Sequence, residues 1–537
     1  METNGAAAEN ISVSGDGWWP DVANLGRALE SLTGLVSGPG PGDTELVQAL
    51  LAVSWKMQVR SLQNAVETAQ DAATRVQNLL TPVAPGLPPG PSGDAALAMA
   101  GDPLRFIEDT TRQYGGFAGF KLAGENVVLV SDPKLAKEIM IDQSSIFIKS
   151  GTALFPGSSL AGNGLLVSDG DVWKRQRRLS NPAFRRAAVD TYGKAMVDLT
   201  NEMLDSEWRP PANRDLFEDF KLLTLRIVVS ALFGNSGKEG MEEVVPAITA
   251  AFEFFQRRAT SMLIVPEWFP TPDNVQYTLS VEKLDRAIYR LINDRRKLLA
   301  SASKGDAGTE GRFRDLLTQY LQVRDDDGTA MDDQSLRDEL MTLMIAGQET
   351  SAILLSWACL FLAQHPHMQE RIAKEVDDVV GGADVSSAHA GKLKYTEAVV
   401  LETMRLTPPA WIIGRCACAA TRLGGYDLPA KTTALISLYN LHRDPKHWPR
   451  AESFDPDRWL PGGDAKPPKD NESYWPYGAG PRVCIGEGFA MMEGILVLAT
   501  IFRRRKLAVP SGGRIAQPQP VITLRPDGPV TLNISSR

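Results

Sequence analysis

The residues from Pro476 to Gly486 read PYGAGPRVCIG. They place one thiol, Cys484, two residues after Arg482 and among Gly478, Gly480 and Gly486. The apolar helical pattern GFAMMEGILVLATIF follows almost at once, so Cys484 stands just ahead of a helix N-terminus. There the free backbone amides and the helix dipole favour thiolate over thiol, and Arg482 adds positive charge. The glycines allow tight backbone turns around the sulfur. A thiolate so placed serves as a nucleophile or as a metal ligand. A nucleophile wants a base, and none of the five histidines (His365, His367, His389, His442 and His447) adjoins it in sequence. A soft axial ligand to iron needs no base. Gly478 and Gly480 are not a dinucleotide fingerprint, since no third glycine follows at the right position and no strand plainly precedes them.

Three further segments carry residue types that could do chemistry. AGQETS, Ala346 to Ser351, interrupts the apolar run Leu340 to Ala363. Gly in a helix interior costs roughly 1 kcal/mol relative to Ala, and a buried, unpartnered carboxylate costs more. In return, Ala346 and Gly347 would admit a flat ligand closely, and Glu349 and Thr350 could bring protons beside it. The plainer alternative is a kinked helix with Thr350 bonded back to its own turn. ETMR places Glu402 and Arg405 three apart on one helix face. Alone that reads as a surface ion pair of little value. Arg458, in FDPDRW, could share the same carboxylate. In DGDVWKRQRRL, Trp173 and Arg177 face one way, and an indole N–H beside a guanidinium suits an anion. The alternative is a solvated basic helix over a buried Trp. Ser168 with Asp171 predicts a capping pair at its start. Cys416 and Cys418, a lone C-x-C in GRCACAAT, read as small residues near a strand.

The elements needed to hold these residues are mostly helical. The AGQETS helix is expected over Asp333 to Gln364, as a core helix, because Gln348, Glu349, Thr350 and Ser351 would sit badly in lipid. Gly119–Leu122 and Asn126–Val130 predict a hairpin around a Gly-containing turn. Further strands are expected at Thr433–Ile436, Pro520–Leu524 and Val530–Asn533. Upstream, residues 1 to about 43 are rich in Gly, Ala, Ser and Pro and predict a disordered leader. A narrow apolar stripe from Trp55 to Leu80 predicts an amphipathic helix over about 44–80. A Pro-rich linker, residues 82–93, ends it. The class is therefore mainly α with a minor β-sheet. An N-terminal extension over residues 1–85 precedes one large catalytic domain over 86–537.

Composition bounds the function. The chain has 537 residues, 43% of them hydrophobic and 23% charged, with a net charge of −8. An acidic balance argues against nucleic acid as a partner. Four cysteines are too few and too unevenly spaced for a disulfide framework, so a reducing, intracellular compartment is expected. No apolar run of membrane-spanning length opens the chain.

Taken together, the four segments resemble the cytochrome P450 family. PYGAGPRVCIG is similar to its haem-binding loop, F-x-x-G-x-R-x-C-x-G, matching at Gly480, Arg482, Cys484 and Gly486, with Tyr477 where Phe is usual. AGQETS looks like the oxygen-activation stretch A/G-G-x-D/E-T-T/S, ETMR like E-x-x-R with Arg458 as its third member, and WKRQR like W-x-x-x-R. The resemblance covers about residues 86 to 537. It implies the P450 fold and haem b, with Cys484 as the thiolate ligand of the iron. Trp173, Arg177, Arg415 and Arg482 would hold the propionates. Tyr477, Gly480 and Gly486 would shape the loop beneath the ring. Ala346 and Gly347 would leave room for O2, and Glu349 and Thr350 would deliver protons. Glu402, Arg405 and Arg458 would be structural.

The implied activity is a monooxygenase that inserts one atom of O2 into a lipophilic substrate: a fatty acid, a carotenoid or another isoprenoid. Its electrons would come from a separate protein, a P450 reductase or a ferredoxin. Largely apolar segments at Phe147–Leu165, Phe252–Phe269 and Trp411–Ile413 are expected to line the substrate pocket. The leader and the missing anchor resemble plant or algal members. They favour a plastid or peripheral-membrane location over an integral endoplasmic-reticulum one. Two other readings remain: a P450-fold hydroperoxide isomerase or dehydratase, against which Glu349-Thr350 argues, and a non-enzymatic haem sensor.

Overall fold

A computed structural model describes residues 86–149, 160–234, 271–302, 315–325 and 328–537, with scattered positions between 244 and 267. The leader, the amphipathic helix and the first part of the linker lie outside the described residues. So does most of Phe252–Phe269.

The apolar run around AGQETS becomes the longest helix among the described residues. In chain order the described helices of more than ten residues are α1 (Pro103–Tyr114), α2 (Gly170–Ser180), α3 (Arg186–Ser206), α4 (Leu216–Phe233), α5 (Pro272–Ala302), α6 (Asp333–Gln364), α7 (Pro366–Val380), α8 (Lys394–Leu406) and α9 (Glu487–Arg504). The strands are β1 (Phe117–Leu122), β2 (Glu125–Val130), β3 (Phe147–Ile148), β4 (Ala212–Asp215), β5 (Ile412–Ala417), β6 (Thr433–Ser437), β7 (Arg505–Ala508) and β8 (Thr531–Ser536).

Asp332 caps α6, its carboxylate accepting from the Ser335 amide. Pro366, which cannot continue a helix, opens α7 immediately beyond. By length and composition α6 could cross a membrane. Yet 72% of its most apolar window is buried in the protein, which makes it the core helix expected. It packs most extensively on α4 and also touches α8 and α9. Gly347 explains one such contact: a Cβ there would meet Val228 Cγ2 of α4 at 3.0 Å. The glycine thus serves a helix crossing.

Five strands form one sheet in the order β1-β2-β6-β5-β3, with β2 and β6 parallel and the other pairs antiparallel. The hairpin of β1 and β2 turns through Ala123 and Gly124, both at positive φ, as a two-residue hairpin loop requires. The Asp94 carboxylate accepts from both amides, at 2.9 and 2.7 Å, and so holds Ala123 in a conformation alanine rarely adopts. β4, β8 and β7 form a second, three-stranded sheet. The strand expected over Pro520–Leu524 is instead a hairpin of Pro518–Pro520 and Leu524–Pro526. Val521 to Thr523 make its turn, which alternation of apolar residues had disguised.

Candidate active site

The four segments that carry chemistry converge on one cavity. Its space, including the open mouth, is about 1720 Å³. α6 supplies Thr342, Ala346, Gly347 and Thr350 to one wall. The loop Pro476–Gly486 also lines it, and α2 and β5 add Trp173, Arg177, Ile413 and Arg415.

Cys484 opens onto this cavity. Its amide donates to Tyr477 O at 2.9 Å, which folds the loop back on itself. Gly480 is required there. Its φ is +69, and a Cβ would lie 2.1 Å from Met140 O. Gly478 is also at positive φ. Gly486 differs from the expectation of a tight turn. It caps α9 at φ −85, and its amide bonds the Cys484 sulfur. Burial is the largest influence on the thiol and pushes it up, against that amide and the Arg177 charge. The sulfur is open to the cavity but desolvated by the protein around it. It therefore needs a cation close at hand to be a stable thiolate.

The cationic side of the cavity is crowded. Arg177 donates to Val483 O at 2.7 Å and to Asn181 Oδ1 at 3.1 Å, tying α2 to the cysteine loop. Arg482 stacks 4.0 Å over the Trp173 ring, donates to Ser168 O at 2.7 Å and pairs with Asp169. The expected capping pair of Ser168 and Asp171 is absent. Ser168 donates to Gln176 at 2.8 Å, and Asp169 occupies the N-cap without capping, its carboxylate being engaged by Arg482. Arg415 is buried and donates to Gly414 O. Burial pulls Arg177, Arg415 and Arg482 down, Arg415 to about 10, with Arg482 repelling it next. Lys149, within the expected lining segment Phe147–Leu165 but given no role of its own there, lines the same edge and donates to Leu166 O at 2.7 Å. Only the pairing of β3 with β5 brings it there.

On α6, Thr350 faces the cavity while its hydroxyl donates to Ala346 O at 2.7 Å. The back-bonded helix and the cavity-lining threonine are thus both present. Glu349 does not line the cavity. It is buried and accepts from Thr523 at 3.2 Å, in the turn of the C-terminal hairpin. Ser351 donates instead to Glu493 of α9. Burial pushes Glu493 up to about 8. An acid inside the apolar pattern GFAMMEGIL was the legible sign of it. The Tyr477 hydroxyl is buried without a partner among the described residues.

Behind the loop, Glu402, Arg405 and Arg458 form one buried cluster. Arg405 makes a two-point contact with Glu402 at 2.9 Å for each bond, and Arg458 adds a bond of 3.0 Å. Trp459 and the Asp455 amide complete the carboxylate's partners at 2.9 and 3.0 Å. All three charged side chains are fully buried. The surface ion pair suggested by ETMR alone is therefore set aside.

The residues fit a haem. Among the described residues that line the cavity, Lys149, Arg177, Arg415 and Arg482 are cationic, and there is no carboxylate. Such a set is costly to bury without an anion between its members. A planar ligand with a sulfur-binding metal and two carboxylates would answer both features.

Comparisons with known proteins agree. The family model described as Cytochrome P450 matches residues 88–533. Cyclooctatin synthase of Streptomyces melanosporofaciens is 34% identical over 86% of this chain and 96% of its own. Cyclooctat-9-en-7-ol 5-monooxygenase from the same organism is 30% identical over 76% of this chain and 86% of its own. Among solved structures, a retinoic acid-bound cyanobacterial CYP120A1 superposes with a TM-score of 0.73. It does so at 22% identity, over 84% of this chain and all of that one, so it speaks for the fold.

Proposed function

The chain belongs to the cytochrome P450 family and is a monooxygenase of it, and we propose that residues 86–537 form its haem domain, with Cys484 as the thiolate that would hold the haem iron and an isoprenoid or similar lipid as substrate. The observation that carries this reading is one cavity uniting a sulfur, four lining cations with Asp169 paired behind them, and an apolar lining.

Bound haem supplies the electron-accepting iron and the dioxygen chemistry of the site. The chain's own residues do the rest. Cys484 holds the metal, and the Gly486 amide steadies the sulfur's charge. Arg177, Arg415 and Arg482 bind the propionates, and Trp173 orients Arg482 by stacking. Ala346 keeps the wall low, Val228, Leu343 and Leu354 exclude water, and Thr350 offers a hydroxyl that can receive or pass a proton within the cavity. Glu349, held by Thr523, stands behind that hydroxyl as a proton source to be recruited, not as part of the wall. Glu402, Arg405 and Arg458 brace the loop's support.

The apolar lining supports a lipophilic substrate. The similarity to an enzyme named for acting on cyclooctat-9-en-7-ol favours cyclic isoprenoids over fatty acids. Electrons are to come from a separate reductase or ferredoxin. The test is incubation with such a donor, NADPH, labelled O2 and a panel of isoprenoids, carotenoids and fatty acids. One labelled oxygen per product supports the reading. Turnover of hydroperoxides with no electron donor would favour the isomerase alternative.

A further inference from the structure

The turn of the C-terminal hairpin has no place in the motifs that define the site, yet it holds one of their residues. Thr523 donates to Glu349 Oε1 at 3.2 Å. That is long for an O–H···O bond, which is usually about 2.7–2.8 Å. The carboxyl is restrained there without being locked. Glu349 is buried, so leaving Thr523 means finding another polar group inside the protein. Thr350, the next residue of α6, offers a hydroxyl on the cavity wall.

The turn is mounted on both sides. The Trp411 indole donates to Val521 O at 3.0 Å, and the Trp357 indole donates to Leu524 O at 3.1 Å. The Leu524 amide donates to Pro409 O at 3.0 Å, and the Val521 amide closes the turn on Thr523 O at 3.0 Å. Trp357, Trp411 and Leu524 are all buried. One mount is therefore α6 itself, about two turns beyond Glu349. The other is the segment from Pro409 to Ile413, of which Pro409, Ala410, Ile412 and Ile413 line the cavity. A molecule seated against that segment bears on the turn through Pro409 and Trp411. The hydroxyl that restrains Glu349 is thus tied to the wall that a substrate would touch.

We propose that Thr523 is a positioning residue that keeps Glu349 away from Thr350 until substrate bears on Pro409–Ile413, so that proton supply waits for substrate. This rests on the reading of Glu349 and Thr350 as proton-handling residues. Reduction of O2, one atom of which leaves as water, takes up protons as well as electrons. Once Glu349 is free of Thr523, one proton passes from its carboxyl to the Thr350 hydroxyl. Thr350 gives its own proton into the cavity, and the Glu349 carboxylate regains one from water. No other bond changes at either residue.

The test uses the full-length holoprotein as wild type, Thr523→Val, Thr523→Ser and Glu349→Gln, each checked first for the wild-type reduced-CO band. The infrared carboxyl band missing from resting Glu349→Gln identifies Glu349. That band should move in resting Thr523→Val and return in Thr523→Ser. With a surrogate ferredoxin and its reductase, substrate-free NADPH consumption should rise about three- to ten-fold in Thr523→Val, the loss of one hydrogen bond, and fall back in Thr523→Ser. An unmoved band would overturn the proposal, because Thr523 would then not hold Glu349. A moved band with unchanged substrate-free consumption would overturn it too, since Thr523 would then only satisfy a buried acid. Glu349→Gln coupled as well as the wild type would fail the proton-handling reading instead, which keeps the two failures apart.

Discussion

Thr350 and Glu349 are adjacent in sequence and turn to different surroundings, one to the cavity and one to Thr523. Successive residues of a helix lie about 100° apart, so the two side chains leave α6 in different directions. Thr350→Ala should therefore bind haem and substrate as the wild type does and still lose coupling. Product formed per NADPH consumed is expected to fall roughly ten-fold or more, the lost electrons appearing as peroxide. Unchanged coupling would remove Thr350 from proton handling. At this scale the sequence was informative about residue type and spacing. PYGAGPRVCIG, AGQETS, ETMR and WKRQR all reach the site or its support. Direction was not legible. The turn of Glu349 towards a hairpin more than 170 residues away, and the arrival of Lys149 beside Arg415, depend on contacts that no local pattern encodes.

The Glu402 carboxylate binds α8 to the Pro456–Trp459 turn through Arg405, Arg458, Trp459 and the Asp455 amide. Every charge in that set is buried, so removing one partner strands the others. Glu402→Ala is expected to cost about 3–5 kcal/mol. Soluble yield and helical circular dichroism should both fall sharply, with little holoprotein recovered. A variant that folds and melts like the wild type would contradict the bracing role. Element boundaries were legible where apolar patterning was long: α6 runs over the expected Asp333–Gln364, and β1 and β2 form the expected hairpin. They were not legible where a short β turn carries apolar residues, as at Val521 and Ile522, or where a carboxylate serves a distant arginine instead of its own helix start, as at Asp169.

For the molecule as a whole, two buried acids contribute a fall in stability as pH rises, which buried His442, pulled down to about 3, partly opposes below about 6.5. Burial pushes both Glu339 and Glu493 up to about 8. In the unfolded chain each would titrate near 4.3. Between those values the native state binds more protons than the unfolded one. The contribution of these two acids is then full at or below the unfolded value and falls as pH rises, by up to about 1.4 kcal/mol per unit for each, the loss being complete near 8. Thermal melts from pH 5 to 9 should show that fall, and Glu493→Gln should flatten part of it while still accepting from Ser351. An unchanged slope would mean that Glu493 is ionised in the native protein. The −8 net charge and apolar core argued for a globular protein without a nucleic-acid partner. They carried nothing about substrate. That choice belongs to the apolar cavity lining, part of which, such as Val228 and Leu316, lies outside every motif.

The most direct measurement is the CO difference spectrum of the dithionite-reduced protein, for wild type and Cys484→Ser. A Soret band at the red-shifted position characteristic of thiolate-ligated haem, present in the wild type and lost in the variant, is the predicted result. A wild-type band at the shorter wavelength of haem without thiolate, in fresh protein, would contradict the assignment of Cys484 and with it the monooxygenase site proposed here.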